Sequence, residues 1–205
     1  MKKINLLICL FAVLLSSCGG GQLNSKLVYE KNPQYTWGYA EFFGDYYHSE
    51  NGNKNNVLTI SLFTDSLKIN ELGNLTGLGQ YLYLEDVFLS PSDTILQAGT
   101  YTIADTGLPF TVAPGKNDTV DNQVYSIGAY ISYYEFNAAN STLKNITGGS
   151  FTVASQTRGI YNIVFNFKTS DNLDLKGNFT ATLPHIDQSI AIQKSGLRKK
   201  LDFKR

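Results

Sequence analysis

The chain has 205 residues, with 17 Lys or Arg against 17 Asp or Glu, a formal net charge of zero, 42% hydrophobic and 13% aromatic residues. The zero conceals a split: residues 18–193 carry nine basic against sixteen acidic side chains, whereas 194–205 carry six against one. An acidic body excludes nucleic acid as a partner, because phosphate binding needs a basic surface.

The N-terminus comes first. Lys2 and Lys3 precede an apolar stretch from Ile4 to Leu15, and Leu15-Ser16-Ser17-Cys18 closes it. A membrane-spanning helix needs about 20 apolar residues, and Gly19-Gly20-Gly21 follows where one would have to continue. Residues 1–17 therefore read as a signal peptide. The closing tetrapeptide resembles the bacterial lipobox, which implies a diacylglycerol on the Cys18 sulfur, cleavage before it and acylation of the new amino terminus. Cys9 leaves with the leader, so Cys18 is the single cysteine of the mature chain. That excludes an intramolecular disulfide and leaves no thiol for nucleophilic or metal chemistry. Removing 17 of 205 residues leaves 188, enough for one well-packed domain and thin for two. The division read here is an acylated cysteine and flexible tether over 18–33, a single domain over 34–193, and a basic tail over 194–205. The tail reads as a solvated terminus, with anionic head groups or an acidic face of its own domain as alternative resting places.

Between Tyr35 and Leu183 apolar and polar residues alternate, and no long window shows helical spacing. Strands are expected over Thr36 to His48, Val57 to Thr64, Gly79 to Leu89, Thr100 to Ala104, Gln123 to Phe136, Gly149 to Ala154, Tyr161 to Lys168 and Leu173 to Leu183. Turn-rich segments separate them at Glu50 to Asn56, Asp105 to Gly107, Pro114 to Asp118 and Asn137 to Ser141. Tyr161, Ile163, Phe165 and Phe167 share one face of the clearest strand, and Thr169-Ser170-Asp171-Asn172 turns it into its neighbour. Gly148-Gly149 marks a bulge or a sharp bend. About eight to ten strands with one apolar face each give an all-β chain, an antiparallel β-sandwich, with a flattened lipocalin-like β-barrel as the alternative.

Several segments, in order, resemble a recurrent domain of cell-envelope lipoproteins from gut Bacteroidota. They are Ala40 to Tyr47, Leu72 to Leu84, Gln97 to Thr102, Ile146 to Val153, and Gly159 to Phe165 with Leu175 to Phe179. The resemblance implies an all-β lipoprotein anchored in the outer membrane and supplies no catalytic residues. Surface-exposed lipoproteins of this phylum often carry acidic residues after the cysteine, whereas glycines follow Cys18, so the periplasmic face stays open. Exported proteins of the phylum also carry O-glycans at Asp followed by Ser or Thr and an aliphatic residue. Asp65-Ser66-Leu67, Asp93-Thr94-Ile95 and Asp118-Thr119-Val120 match, making Ser66, Thr94 and Thr119 candidate sites.

Catalytic signatures are sparse. His48 and His185 each stand alone, so neither a metal site nor any cofactor is expected. Asp118, Asp121 and Asn122 lack the pattern of a calcium loop. No nucleophile elbow, phosphate loop or dinucleotide fingerprint occurs. Glu41, Asp45, Glu85 and Asp86 are available as a carboxylate pair, the one catalytic device without a sequence signature. Aromatic residues are the stronger lead. If Leu82 and Leu84 face the core, Tyr81 and Tyr83 face outward; tyrosines alternate on both faces from Tyr125 to Tyr134; Trp37, Tyr39, Tyr46 and Tyr47 form a further cluster. Such rings stack on sugars or anchor protein partners, though cross-strand aromatic pairs also stabilise sheets without a ligand. The candidate ligand-binding residues are Trp37, Tyr39, Tyr46, Tyr47, Tyr81, Tyr83, Tyr130 and Tyr134. The reading is a non-enzymatic lipid-anchored protein binding a glycan or another envelope component. A structural or assembly subunit is second and an enzyme on envelope polysaccharide third. Oligomeric state is not legible.

Overall fold

A computed structural model describes residues 29–48, 52–120, 122–135 and 142–190. The leader, Cys18, the basic tail, Asp121 and the expected turn at 137–141 lie outside the described residues. Among the described residues thirteen strands run in chain order: β1 (Gln34–Gly44), β2 (Asn56–Thr64), β3 (Leu67–Ile69), β4 (Leu75–Leu89), β5 (Gly99–Ile103), β6 (Thr111–Val112), β7 (Lys116–Val120), β8 (Gln123–Ile127), β9 (Ala129–Glu135), β10 (Thr142–Thr157), β11 (Ile160–Thr169), β12 (Asp174–Thr182) and β13 (His185–Asp187).

The architecture is all-β and sandwich-like. One layer is β1-β2-β4-β9, with β3 and β6 on the edges of β4 and β13 on β1; the other is β5-β10-β11-β12. β10 turns the corner between them. Its first residues pair with β9 through Leu143↔Ser132, and its later ones pair with β5 through Phe151↔Tyr101. The bend falls at the expected glycine pair: the register with β11 shifts between Ile146 and Gly148. Gly149 has φ +94, where a Cβ would lie 2.1 Å from the Asn166 carbonyl oxygen. At the opposite corner β1 and β12 touch in parallel only at Gln34↔Asn178 and Tyr35↔Phe179, so the layers do not form a closed barrel wall.

The inner faces follow the alternation. Leu58, Ile60, Leu62, Leu82, Leu84 and Ile131 from one layer meet Tyr101, Phe151, Val153, Tyr161, Ile163, Phe165, Phe167 and Phe179 from the other, all essentially buried. Interdigitation of two inward faces is the usual core of a β-sandwich. Phe151 stacks on Tyr101 with ring centres 4.7 Å apart. The β11–β12 hairpin forms as expected, except that Leu173, expected to open the second strand, lies outside β12 and is exposed.

Four expectations need correction. Residues 29–33 are docked rather than loose, because the Lys176 and Asn178 amides of β12 donate to the Lys31 and Pro33 carbonyls. The expected strand from Gln123 breaks at Gly128, whose φ of +78 swings β9 away from β8. The expected turn over Pro114 to Asp118 is strand from Lys116 on, because Lys116–Val120 pairs with β8 as a two-stranded ribbon. Finally β2 is buried on both faces rather than one. Its outward Phe63 lies beneath Trp37, with rings stacked 4.1 Å apart.

Candidate functional site

A β-bulge organises the site. β2 and β4 pair at Ile60↔Leu84 and again at Leu58↔Val87, so Thr59 faces two residues, Glu85 and Asp86. A bulge opposes two residues to one and re-aims their side chains, and both carboxylates are buried in consequence. The Thr59 hydroxyl donates to the Glu85 carbonyl at 2.7 Å. Glu41 sits opposite Thr59 on β1, extending this row across three strands, and accepts from Gln188 Nε2 at 3.3 Å. Asp45, the fourth carboxylate singled out from sequence, lies in the exposed turn after β1.

Around Glu85 and Asp86 opens a cleft of about 530 Å³. Its floor is the bulge and Phe88. One wall is the turn after β1, where Tyr46 and Tyr47 meet edge to face at 5.0 Å. The Tyr47 hydroxyl donates to Asp86 Oδ2 at 2.7 Å, and its ring leans on Phe88 at 5.9 Å. A second wall is the β5–β6 loop, with Asp105, Thr106 and Gly107. Asn53 and Asn55 fasten that loop by donating to the Gly107 carbonyl at 2.9 and 2.8 Å. The third wall is Pro114, Lys116, Ile127 and Gly128, where the ribbon leaves the sheet. The Gly128 amide donates to Glu85 Oε2 at 2.7 Å.

The cleft thus joins aromatic rings, carboxylate acceptors, an amide-braced loop and one lysine. A concave site with apolar rings and a few placed polar groups is the usual form of a small-molecule site. Each carboxylate offers about four lone-pair positions. Tyr46 and Tyr47 are the candidate residues the fold brings here.

The other six form a belt on the outward face of β1-β2-β4-β9. Register places Tyr39, Ser61, Tyr83 and Tyr130 in one row, and Trp37, Phe63, Tyr81 and Ser132 in the next. Tyr81 and Tyr83 do face away from Leu82 and Leu84. Tyr39 is buried rather than available to a ligand, and that burial pushes its hydroxyl up to about 12. Trp37, Tyr81 and Tyr134 are half-buried against Phe63, Leu67 and Leu75. Tyr83 and Tyr130 lie together with ring centres 4.9 Å apart. The belt is mostly mutual packing, in which cross-strand pairs contribute about 0.2–1 kcal/mol each.

Asn53, Asp105, Thr106, Lys116 and Gly128 were not singled out from sequence. Their segments carry turn signals, but their convergence is produced by strand order. Ser66, Thr94 and Thr119 are all exposed. Among the described residues no group of His, Cys, Asp and Glu is placed to hold a metal ion. No protein-family model, curated protein or solved structure matches the chain.

Proposed function

We propose that this chain is a non-enzymatic lipoprotein of the cell envelope, held in the outer membrane through Cys18, and that it binds a glycan in the cleft above the bulge. The observation that carries the reading is the pair of Tyr46 and Tyr47 rings beside Asp86, Glu85 and Asp105. A sugar presents C–H faces that pack on rings and hydroxyls that donate to carboxylates, and this wall offers both. The non-enzymatic part is supported by the commitment of Glu85 to the Gly128 amide and of Asp86 to the Tyr47 hydroxyl. Both bonds are made to structural groups of the chain.

The test is a glycan array probed with the mature protein and with the Tyr47→Phe and Asp86→Asn variants. Binding of a defined glycan that weakens in both variants is expected. Absence of binding by the wild-type protein, together with an empty envelope pull-down, would overturn the reading.

A second reading, an assembly subunit, is favoured by the β7–β8 ribbon, which stands apart from the main sheet and exposes Val124 and Tyr125. Strand ribbons with an open edge can extend into a partner's sheet. Cross-linking through position 124 to one envelope protein in cells would move the assignment to that class.

A further inference from the structure

The β3–β4 hairpin ends in the most exposed large apolar side chain among the described residues, Leu72, at 84%. Ile69, opposite Leu75 in the last pair before the turn, is also exposed, at 40%. Asn70 shapes the turn by accepting the amides of Leu72 and Asn74 through Oδ1, at 3.0 and 2.9 Å. Leucine is therefore held outward on an ordered turn, where solvation alone would favour a polar residue.

The same end of the domain receives the N-terminal segment. The Glu30 amide donates to Gln80 Oε1 at 3.1 Å, and Gln80 Nε2 returns a bond to the Glu30 carbonyl at 3.3 Å. Gln80 lies on β4, the strand that leaves this hairpin. From Tyr29 back to Cys18 the chain spans at most about 35–40 Å when fully extended, so an anchored cysteine keeps this end near its membrane. The cleft lies elsewhere: from Leu75 to Glu85 along β4 is about 33 Å.

Behind the apolar tip stand Trp37, Tyr81 and Tyr134, half-buried. Leu67 accepts from Trp37 Nε1 at 2.8 Å and Leu75 from the Tyr134 hydroxyl at 2.9 Å, both through their backbone carbonyls. Trp and Tyr with an apolar body and a polar tip are the side chains favoured at the head-group level of a bilayer. Asp65, Lys68 and Glu71 flank the tip with one net negative charge, so attraction to anionic lipid is not the driving term.

The geometry points to the β3–β4 hairpin as a membrane-contact surface: Leu72 and Ile69 enter the acyl boundary of the leaflet that holds Cys18, and the cleft faces away from it. The inference rests on the lipid-anchored part of the proposed function and is independent of what the cleft binds. Tethering makes the contact intramolecular, so a small apolar tip suffices where it would not recruit a free protein.

The experiment uses the full-length acylated protein in phosphatidylethanolamine vesicles. An environment-sensitive fluorophore is placed at Glu71→Cys, beside an intact Leu72, and in a second chain at Leu108→Cys on the β5–β6 loop. The expected result is blue-shifted emission at position 71, quenched by brominated acyl chains, with neither effect at position 108. Adding Leu72→Asp removes the shift while the protein still floats with the vesicles. Added phosphatidylglycerol or salt leaves the shift in place. Solvent-like emission at 71 from protein that does float overturns the orientation and leaves the anchor standing. Protein that does not float, with an intact mass showing unmodified Cys18, overturns the anchored reading and this inference with it.

Discussion

Gly128 donates its backbone N–H to Glu85 Oε2, and the two residues lie on opposite sides of a gap between the β7–β8 ribbon and the bulge of β4. The bond recurs in reverse, since the Glu85 amide donates to the Gly128 carbonyl at 3.3 Å. A carboxylate that accepts a backbone amide in a buried place is a charge-assisted contact, stronger than a neutral one. It ties one wall of the cleft to its floor.

Gly128→Ala is therefore expected to damage both fold and cleft. At φ +78 an L-residue is strained, and the added Cβ would lie 2.2 Å from the Pro114 carbonyl oxygen, which is backbone and has no rotamer to yield. The cost is about 1–3 kcal/mol, read as a lower urea midpoint with an unchanged slope. Glycan binding should fall further than the stability loss explains, because the third wall moves. A variant as stable as wild type would show that the linker repacks without strain.

Glu85→Gln separates charge from shape. The amide keeps an oxygen for the Gly128 N–H but removes the charge, so stability falls by about 1 kcal/mol. Tyr47→Phe removes a donor to Asp86 while keeping the ring against Phe88, and is expected to lower glycan affinity roughly tenfold, equivalent to about 1.4 kcal/mol. Urea unfolding measures the first, and isothermal titration with the glycan identified on the array measures the second. Unchanged affinity in Tyr47→Phe would mean that the hydroxyl braces the turn without shaping the ligand.

Much of the fold was legible, for a reason particular residues make plain. Strand β11 buries Tyr161, Ile163, Phe165 and Phe167 and exposes the residues between them, so period-two patterning and burial coincide. Where a strand is covered twice the pattern says less. Val57, Thr59, Ser61 and Phe63 face outward on β2 and are buried all the same, because the rings of Trp37 and Tyr39 on β1 and of Tyr81 on β4 close over Phe63. The cleft was legible only in pieces. Glu85-Asp86 reads as one inward and one outward residue of an ordinary strand, and only the extra residue opposite Thr59 turns both toward the cleft. That extra residue is a property of β2 and β4 together. Gly107 and Asn53, far apart in sequence, meet for a similar reason.

The core offers a calibration. Phe151 lies between the layers, stacked on Tyr101 and in contact range of Phe165 and Phe167. Phe151→Ala is expected to cost about 3–5 kcal/mol through lost burial and a residual cavity. Val164→Thr, on the exposed face of the adjacent strand, should stay within about 0.5 kcal/mol. Equal costs would mean that the face of β11 carrying Val164 is covered in solution.

Modification at the exposed Asp-Ser/Thr motifs has its own signature. If Ser66, Thr94 and Thr119 carry O-glycans in the native host, intact mass of the mature protein exceeds that of the acylated polypeptide by whole sugar residues. Ser66→Ala, Thr94→Val and Thr119→Val together should remove the excess. The native protein lacking any such excess would end the expectation.

His185 gives the chain an acid-sensitive point near the end of the domain. Its Nε2 accepts the Leu96 amide at 3.4 Å, so the ring proton is on Nδ1, which donates to the Leu183 carbonyl at 2.9 Å. The Tyr161 ring packs on it with centres 5.6 Å apart. Burial holds its pKa below the usual 6.5, against the opposing pull of the Leu183 carbonyl. A base whose folded pKa is depressed binds fewer protons folded than unfolded, so stability rises with pH between the two values. The contribution is complete above about pH 6.5, declines as pH falls through the window below it, and levels off beneath the folded value. Protonation also sets a second N–H against the Leu96 amide and loosens the segment joining β4 to β5. Melting temperature followed from pH 7.5 to 5 should therefore fall in wild type, and fall less in His185→Gln, whose side chain does not titrate. Identical profiles for the two proteins would assign the acid sensitivity to the carboxylates instead.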